Sequence, residues 1–92
     1  MSIHRTRVVN KHYEAFDVYI GRGSIWGNKF IIGKHGTREE VIEKYDKWIR
    51  KRRKAMKQLH RLVGMRLGCY CKPKPCHGDV LIKIMQEKGL II

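Results

Sequence analysis

The stretch from Thr37 to Gly64, "TREEVIEKYDKWIRKRRKAMKQLHRLVG", constrains the fold of this chain more than any other. Thr37 followed by Glu40 is a capping box, in which the hydroxyl takes a free backbone N–H and the carboxylate reaches back to the cap. Val41, Tyr45, Trp48, Met56, Leu59 and Val63 recur mostly at three- or four-residue steps, with Ile42, Ile49 and Leu62 beside them. That spacing predicts one long helix with a single apolar stripe, stopped at Gly64. The stripe lapses at Arg52, so the helix is expected to bend or project beyond the core there.

A one-sided helix must bury its stripe, and the flanking segments predict a sheet to bury it on. Arg7 to Asn10 ("RVVN") and Asp17 to Gly21 ("DVYIG") are short apolar runs with β-branched and aromatic residues, and both read as strands. Met65 to Cys71 ("MRLGCYC") reads as a buried strand, while "KFIIG" adds a short strand or an extended arm. "HGDVLIKIMQEKG" reads as a second helix stopped by Gly89, with Val80, Leu81, Ile84 and Met85 as its apolar face. No internal repeat or linker interrupts this order. The expectation is a single α/β domain over residues 1–92, with a short, mostly parallel sheet, a long basic helix and a C-terminal helix, in β-β-α-β-α order.

This order has a consequence for function. A strand, a helix and a second strand form a crossover that leaves the two strands parallel. Loops leaving the carboxyl ends of parallel strands emerge on one edge of the sheet, where open α/β folds bind ligands. Here those loops are "GRGSIWGN" (Gly21 to Asn28) and "CKPKPCHGD" (Cys71 to Asp79). They are expected to face each other across one crevice.

A chain of 92 residues supports one small core. No apolar run approaches the roughly 18 to 20 residues of a membrane span, and the N-terminus lacks the apolar segment of a secretory signal. All three cysteines fall between Cys69 and Cys76, so any monomeric disulfide scheme leaves one unpaired. A reducing cytoplasm and no membrane insertion are therefore expected. Lys and Arg number 21 against 8 Asp and Glu, a formal charge of +13, which calls for an anionic partner. Nucleic acid or a nucleotide comes first, ahead of an anionic membrane surface; the plain alternative is a basic surface that serves solubility.

Each loop offers chemistry. In the first, Arg22 has a planar fork of donors suited to phosphate or carboxylate. Gly21, Gly23 and Gly27 let backbone N–H groups approach an anion, with Ser24 between them. Trp26 has a ring to stack on a base, and Asn28 an amide for a base edge or for the loop's own shape. Together with Lys72 of the second loop these form the expected ligand set; the alternative is a glycine-rich turn with Trp26 in the core.

In the second loop Cys69, Cys71, Cys76 and His77 are four candidate zinc ligands, although adjacent Cys76 and His77 are awkward joint ligands. Cys76 at a helix start beside Lys72, Lys74 and His77 is a candidate nucleophile, with His77 and Asp79 as base and orienting group. The same helix start could instead bind phosphate through its N–H groups. Plainest of all, Cys69 and Cys71 are small apolar residues of a buried strand.

The long helix presents Lys47, Arg50, Lys51, Arg53, Lys54 and Lys57, together with Arg52 and Arg61, and no acidic residue after Asp46. That is a phosphate-tracking charge pattern, or else a solvated face. It has no cluster of Asn or Gln to read bases, so sequence-specific recognition is not expected.

The segments "VYIGRGSIWGNKF", "GTREEVIEKYDKWI" and "LGCYCKPKPCHGDVL" resemble, in order, the family of small phage and bacterial proteins called domain of unknown function 4326. The resemblance runs from about Val8 to Ile84. Lys29 stands where the family pattern has proline, and the basic segment from Arg50 to Lys57 looks like an elaboration of this chain. The resemblance brings no reaction with it. It implies a small cytoplasmic protein of phage or mobile-element type, with both loops in one shared site. The expected function is a module holding nucleic acid or a nucleotide phosphate in the crevice. An enzyme using a Cys nucleophile or zinc, and a host-protein interaction module, are the alternatives.

Overall fold

A computed structural model describes residues 5–91; the first four residues and the last of the expected domain lie outside it. Three strands, β1 (Arg7–Asn10), β2 (Val18–Tyr19) and β3 (Arg66–Cys69), form a sheet in the order β1-β3-β2. Both pairings are parallel, with Arg7 opposite Arg66 and Val18 opposite Leu67. The helices are α1 (Arg38–Ile49), α2 (Arg53–Gln58) and α3 (His77–Glu87), with a 3-10 turn over Leu59–Leu62. The small α/β domain read from the sequence is the domain that forms. The segment "KFIIG" contributes no strand beyond an isolated bridge from Ile32 to Gly36.

Strand periodicity sends alternate residues of β3 to opposite faces. Leu67 and Cys69 are buried in the main core with Ile20, Tyr45, Leu81 and Ile84. Gly68, between them, turns to the other face, where a Cβ would stand 2.7 Å from the Phe16 ring. Phe16 belongs to residues 11–17, which carry the chain back to the start of β2 without a helix. Asn10 starts that return, its carbonyl accepting from the N–H groups of Tyr13 and Glu14. Asp17 ends it, its carboxylate accepting the Arg66 backbone N–H and two guanidinium N–H groups at 3.0 Å each.

On the helical face the first turn of α3 lies against Val8 and Ile20, and a Cβ on Gly78 would meet both at 2.8 Å. The capping box of α1 forms as expected, Thr37 accepting from the Glu40 N–H at 3.2 Å and Glu40 accepting from the Thr37 N–H at 2.9 Å.

The single long helix does not form. The chain leaves helical geometry after Arg50, and Arg52 is extended at φ −85° and ψ 100°. The reason lies in the spacing of the apolar residues. Ile49 and Ala55 are both fully buried, yet six residues apart they fall on different sides of a continuous helix. Breaking the helix brings Ala55, Leu59 and Leu62 back to the core, while the Arg52 guanidinium folds over the Trp48 ring at 4.7 Å. Val63, assigned to the stripe by its spacing, is exposed instead.

Candidate functional site

The two loops meet. A cavity of about 260 Å³ opens at the carboxyl ends of β2 and β3, with Gly21, Arg22 and Asn28 on one side and Cys71, Pro75 and His77 on the other. The first residues of α1 close a third side through Arg38, Val41 and Ile42. Arg38 also donates to the Pro75 carbonyl at 3.1 Å, tying that helix start to the second loop. Tyr19, Phe30 and Tyr70 add three rings to the wall.

Within the first loop the residues divide between wall and frame. Arg22 is exposed, borders the cavity and pairs with no carboxylate among the described residues. Ser24 shapes the turn, its hydroxyl donating to the Gly21 carbonyl at 2.7 Å and accepting from the Trp26 N–H at 3.3 Å. Trp26 is 5% exposed and packs in the core, so it is no stacking surface. Asn28 locks the loop, accepting from the Phe30 N–H at 2.9 Å and donating to the Val41 carbonyl at 3.2 Å. Gly23 and Gly27 do not line the cavity.

The second loop departs furthest from expectation. His77 is 9% exposed, and its Nε2 lies 2.6 Å from the Ile20 carbonyl, to which it donates. The Asp79 carboxylate bonds elsewhere: one oxygen takes Lys72 Nζ at 2.6 Å and the other takes the Cys76 N–H at 3.1 Å. Lys72 is thus spent on Asp79, and a base–orienter pairing of His77 with Asp79 is absent. Cys76 caps α3, its sulfur accepting from the Gly78 N–H at 3.2 Å. This is a second capping box, written with Cys and Asp in place of the usual Thr and Glu.

Cys69 and Cys76 are both buried, with their sulfurs 3.4 Å apart. The contact with Cys76, joined by the backbone N–H groups of Cys71 and Lys72 and by the Lys72 charge, holds the Cys69 thiol below its ordinary range against the effect of burial. The same contact, with burial, pushes Cys76 up. The two thiols are thus driven in opposite directions, Cys69 down and Cys76 up. The sulfur expected as nucleophile caps α3, lies buried against a second thiol, and is the one whose ionisation that contact and burial oppose. Among the described residues no three His, Cys, Asp or Glu side chains converge as a metal-binding group, so the four candidate zinc ligands do not form one set.

His77 also makes acid stability a direct test. Burial holds its pKa below the ordinary 6.5, Arg22 acts in the same direction, and the Ile20 carbonyl and Asp79 oppose them. The unfolded chain then binds the proton first, so stability falls as pH drops through about 6.5. Urea unfolding at pH 7 and pH 5.5 is expected to differ by up to about 1 kcal/mol from this group, and the difference should shrink in His77→Gln.

Several wall residues escaped the sequence reading. Tyr70 sits between two cysteines at the end of β3, and its position there was a usable signal. Tyr19 and Phe30 had the same signal on the other loop. Asn10, which supports the wall without lining it, had none: its Nδ2 donates to the carbonyls of Tyr70 at 3.2 Å and Lys72 at 2.8 Å and so fixes the second loop.

The basic residues lie elsewhere. Lys51, Arg53, Lys54 and Lys57 are exposed and pair with no carboxylate among the described residues. Lys47 stands 3.5 Å from Glu43. Arg50 is bound to Asp46 and, at 2.7 Å, to Glu87 at the far end of α3. Both α1 and α3 begin at the cavity, and this ion pair joins their opposite ends. The 12 residues of α1 put about 18 Å between the crevice and the basic segment. They are two surfaces, not one.

Three parallel strands, their helices and a crevice at the strands' carboxyl ends define a small open α/β protein. The chain belongs to the family Domain of unknown function (DUF4326), whose pattern matches residues 3–87. Over 86 residues it is 50% identical to an uncharacterized 12.4 kDa protein of the nrdA-td intergenic region of Enterobacteria phage T4, covering 88% of this chain and 78% of that protein. No solved structure matches it. Among the described residues no helix is long and apolar enough to cross a membrane.

Proposed function

We propose that the crevice binds a single nucleotide, free or as one unit of a nucleic acid strand, with the base among Tyr19, Phe30 and Tyr70 and a phosphate on Arg22. The observation that carries this reading is the unpaired Arg22 at the rim of a cavity whose wall holds three aromatic rings. A base presents a flat π-face that such rings accept without regard to sequence, and a guanidinium takes phosphate with two parallel N–H donors. The volume falls just below the roughly 300–1,000 Å³ of ordinary ligand sites. It suits one base or nucleotide and excludes a duplex. The exposed cations of α2 supply a separate, sequence-blind phosphate contact for a longer strand. Action in the cytoplasm of an infected cell is part of the same reading, supported by the phage relative.

The test is calorimetric titration with nucleoside monophosphates and with a short single-stranded oligonucleotide. The expected result is that both bind, and that only the oligonucleotide is strongly salt-dependent. Four phosphate contacts imply a loss of about 50-fold in its affinity between about 50 and about 200 mM salt. Replacing Lys51, Arg53, Lys54 and Lys57 by alanine should flatten that slope and leave monophosphate binding unchanged. Absence of monophosphate binding at low salt would sink the crevice reading, and an unchanged slope would sink the role of α2.

A further inference from the structure

We propose that Cys69 and Cys76 form a peroxide-reactive dithiol at the floor of the crevice, with Cys69 as the attacking sulfur and Cys76 as the resolving one. Three observations carry this. The two sulfurs are 3.4 Å apart, close enough to bond after a small shift of either side chain. Both cysteines border the cavity, which admits a hydroperoxide, while burial excludes larger thiol reagents. The surroundings are also asymmetric: the contact with Cys76 and the nearby backbone and charge of Lys72 lower the Cys69 thiol, while the same contact and burial raise Cys76. A thiolate with fixed donors beside a protonated partner is the arrangement in which one sulfur attacks and its neighbour resolves.

The chemistry balances with a hydroperoxide as oxidant. The Cys69 thiolate attacks one peroxide oxygen, the O–O bond breaks, and the sulfur is oxidised to sulfenic acid. The departing hydroxide or alkoxide takes a proton from water and leaves as water or an alcohol. Cys76 sulfur then attacks the sulfenic sulfur, the S–O bond breaks, and the departing hydroxide takes the Cys76 proton. One hydroperoxide is reduced and two cysteines become one disulfide. The bridge would pin the end of β3 to the cap of α3, across the floor of the site. This inference stands on the thiol pair alone and does not depend on the nucleotide reading.

Cys71 supplies the control. It borders the cavity too, but it is half-buried and takes no part in the Cys69–Cys76 contact. Native Cys71→Ser protein is treated with stoichiometric hydrogen peroxide, quenched with an alkylating agent and mapped by mass spectrometry. The expected result is a Cys69–Cys76 disulfide, formed at least about tenfold faster than in the same chain held in denaturant. In Cys76→Ser the reaction should stop at a sulfenic acid on Cys69, which dimedone added together with denaturant traps. If native thiols oxidise no faster than denatured ones, or if no Cys69–Cys76 bridge forms in Cys71→Ser, the proposal is overturned. Should Cys76→Ser fail to fold by circular dichroism, rate and map in Cys71→Ser decide alone.

Discussion

Tyr45→Ala is expected to lower the unfolding free energy by about 3–5 kcal/mol, the range for deleting a large buried ring. Domains of this size are stable by only about 5–10 kcal/mol, so the variant should be largely unfolded at modest urea concentrations. Three contacts set the size of the effect. Tyr45 is fully buried on α1, its hydroxyl donates to the Trp26 carbonyl at 2.6 Å, and its ring meets the His77 ring at 5.1 Å. One side chain thus joins the middle of α1 to the first loop and to the start of α3. Tyr45→Phe separates the hydroxyl from the ring. It keeps the packing and strands the buried carbonyl, at a cost of about 1–3 kcal/mol. Urea unfolding followed by circular dichroism reads both; a Phe variant as stable as the parent would show that the carbonyl finds another partner.

Arg22→Ala is expected to weaken binding of a nucleoside monophosphate about 10- to 100-fold, through loss of charge-assisted hydrogen bonds worth about 1.5–3 kcal/mol. The fold should be indifferent to the change, since Arg22 is exposed and pairs with no carboxylate among the described residues. Its removal also takes away a positive charge that disfavours the charged form of His77, a small gain if anything. Arg22→Lys should recover part of the affinity, because an ammonium keeps the charge and loses the fork. Lys54→Ala, on α2 beyond the far end of α1, should leave monophosphate affinity within twofold of the parent. Equal losses in Arg22→Ala and Lys54→Ala would mean a diffuse electrostatic effect of the net charge, and no site at Arg22.

The crevice was legible in advance because it follows from chain order. Once a helix joins two parallel strands, the loops at their carboxyl ends have one edge to share, whatever their side chains do. The roles inside it were not legible. Trp26 and Arg22 stand four residues apart in the same glycine-rich loop, yet one packs in the core and the other reaches solvent. Loop composition does not encode which way each side chain turns. Cys76 and His77 posed the same difficulty, since the α3 cap claims one side chain and the Ile20 carbonyl claims the other.

By itself the sequence determined the class of fold, the parallel pairing of β2 with β3, the capping box of α1 and the meeting of the two loops. These depend on local periodicity and on connection geometry, both of which are written in the order of residues. Only the tertiary structure decided that β3 lies between β1 and β2, that the helix expected to bend at Arg52 breaks there outright, and that Cys69 and Cys76 meet as a buried pair. Each of those depends on contacts between residues far apart or on competition for one buried space. Phe16 against Gly68 and Cys69 against Cys76 have no signature in the spacing of residues along the chain, and the lapse of the apolar stripe at Arg52 does not say that Ala55 returns to the core.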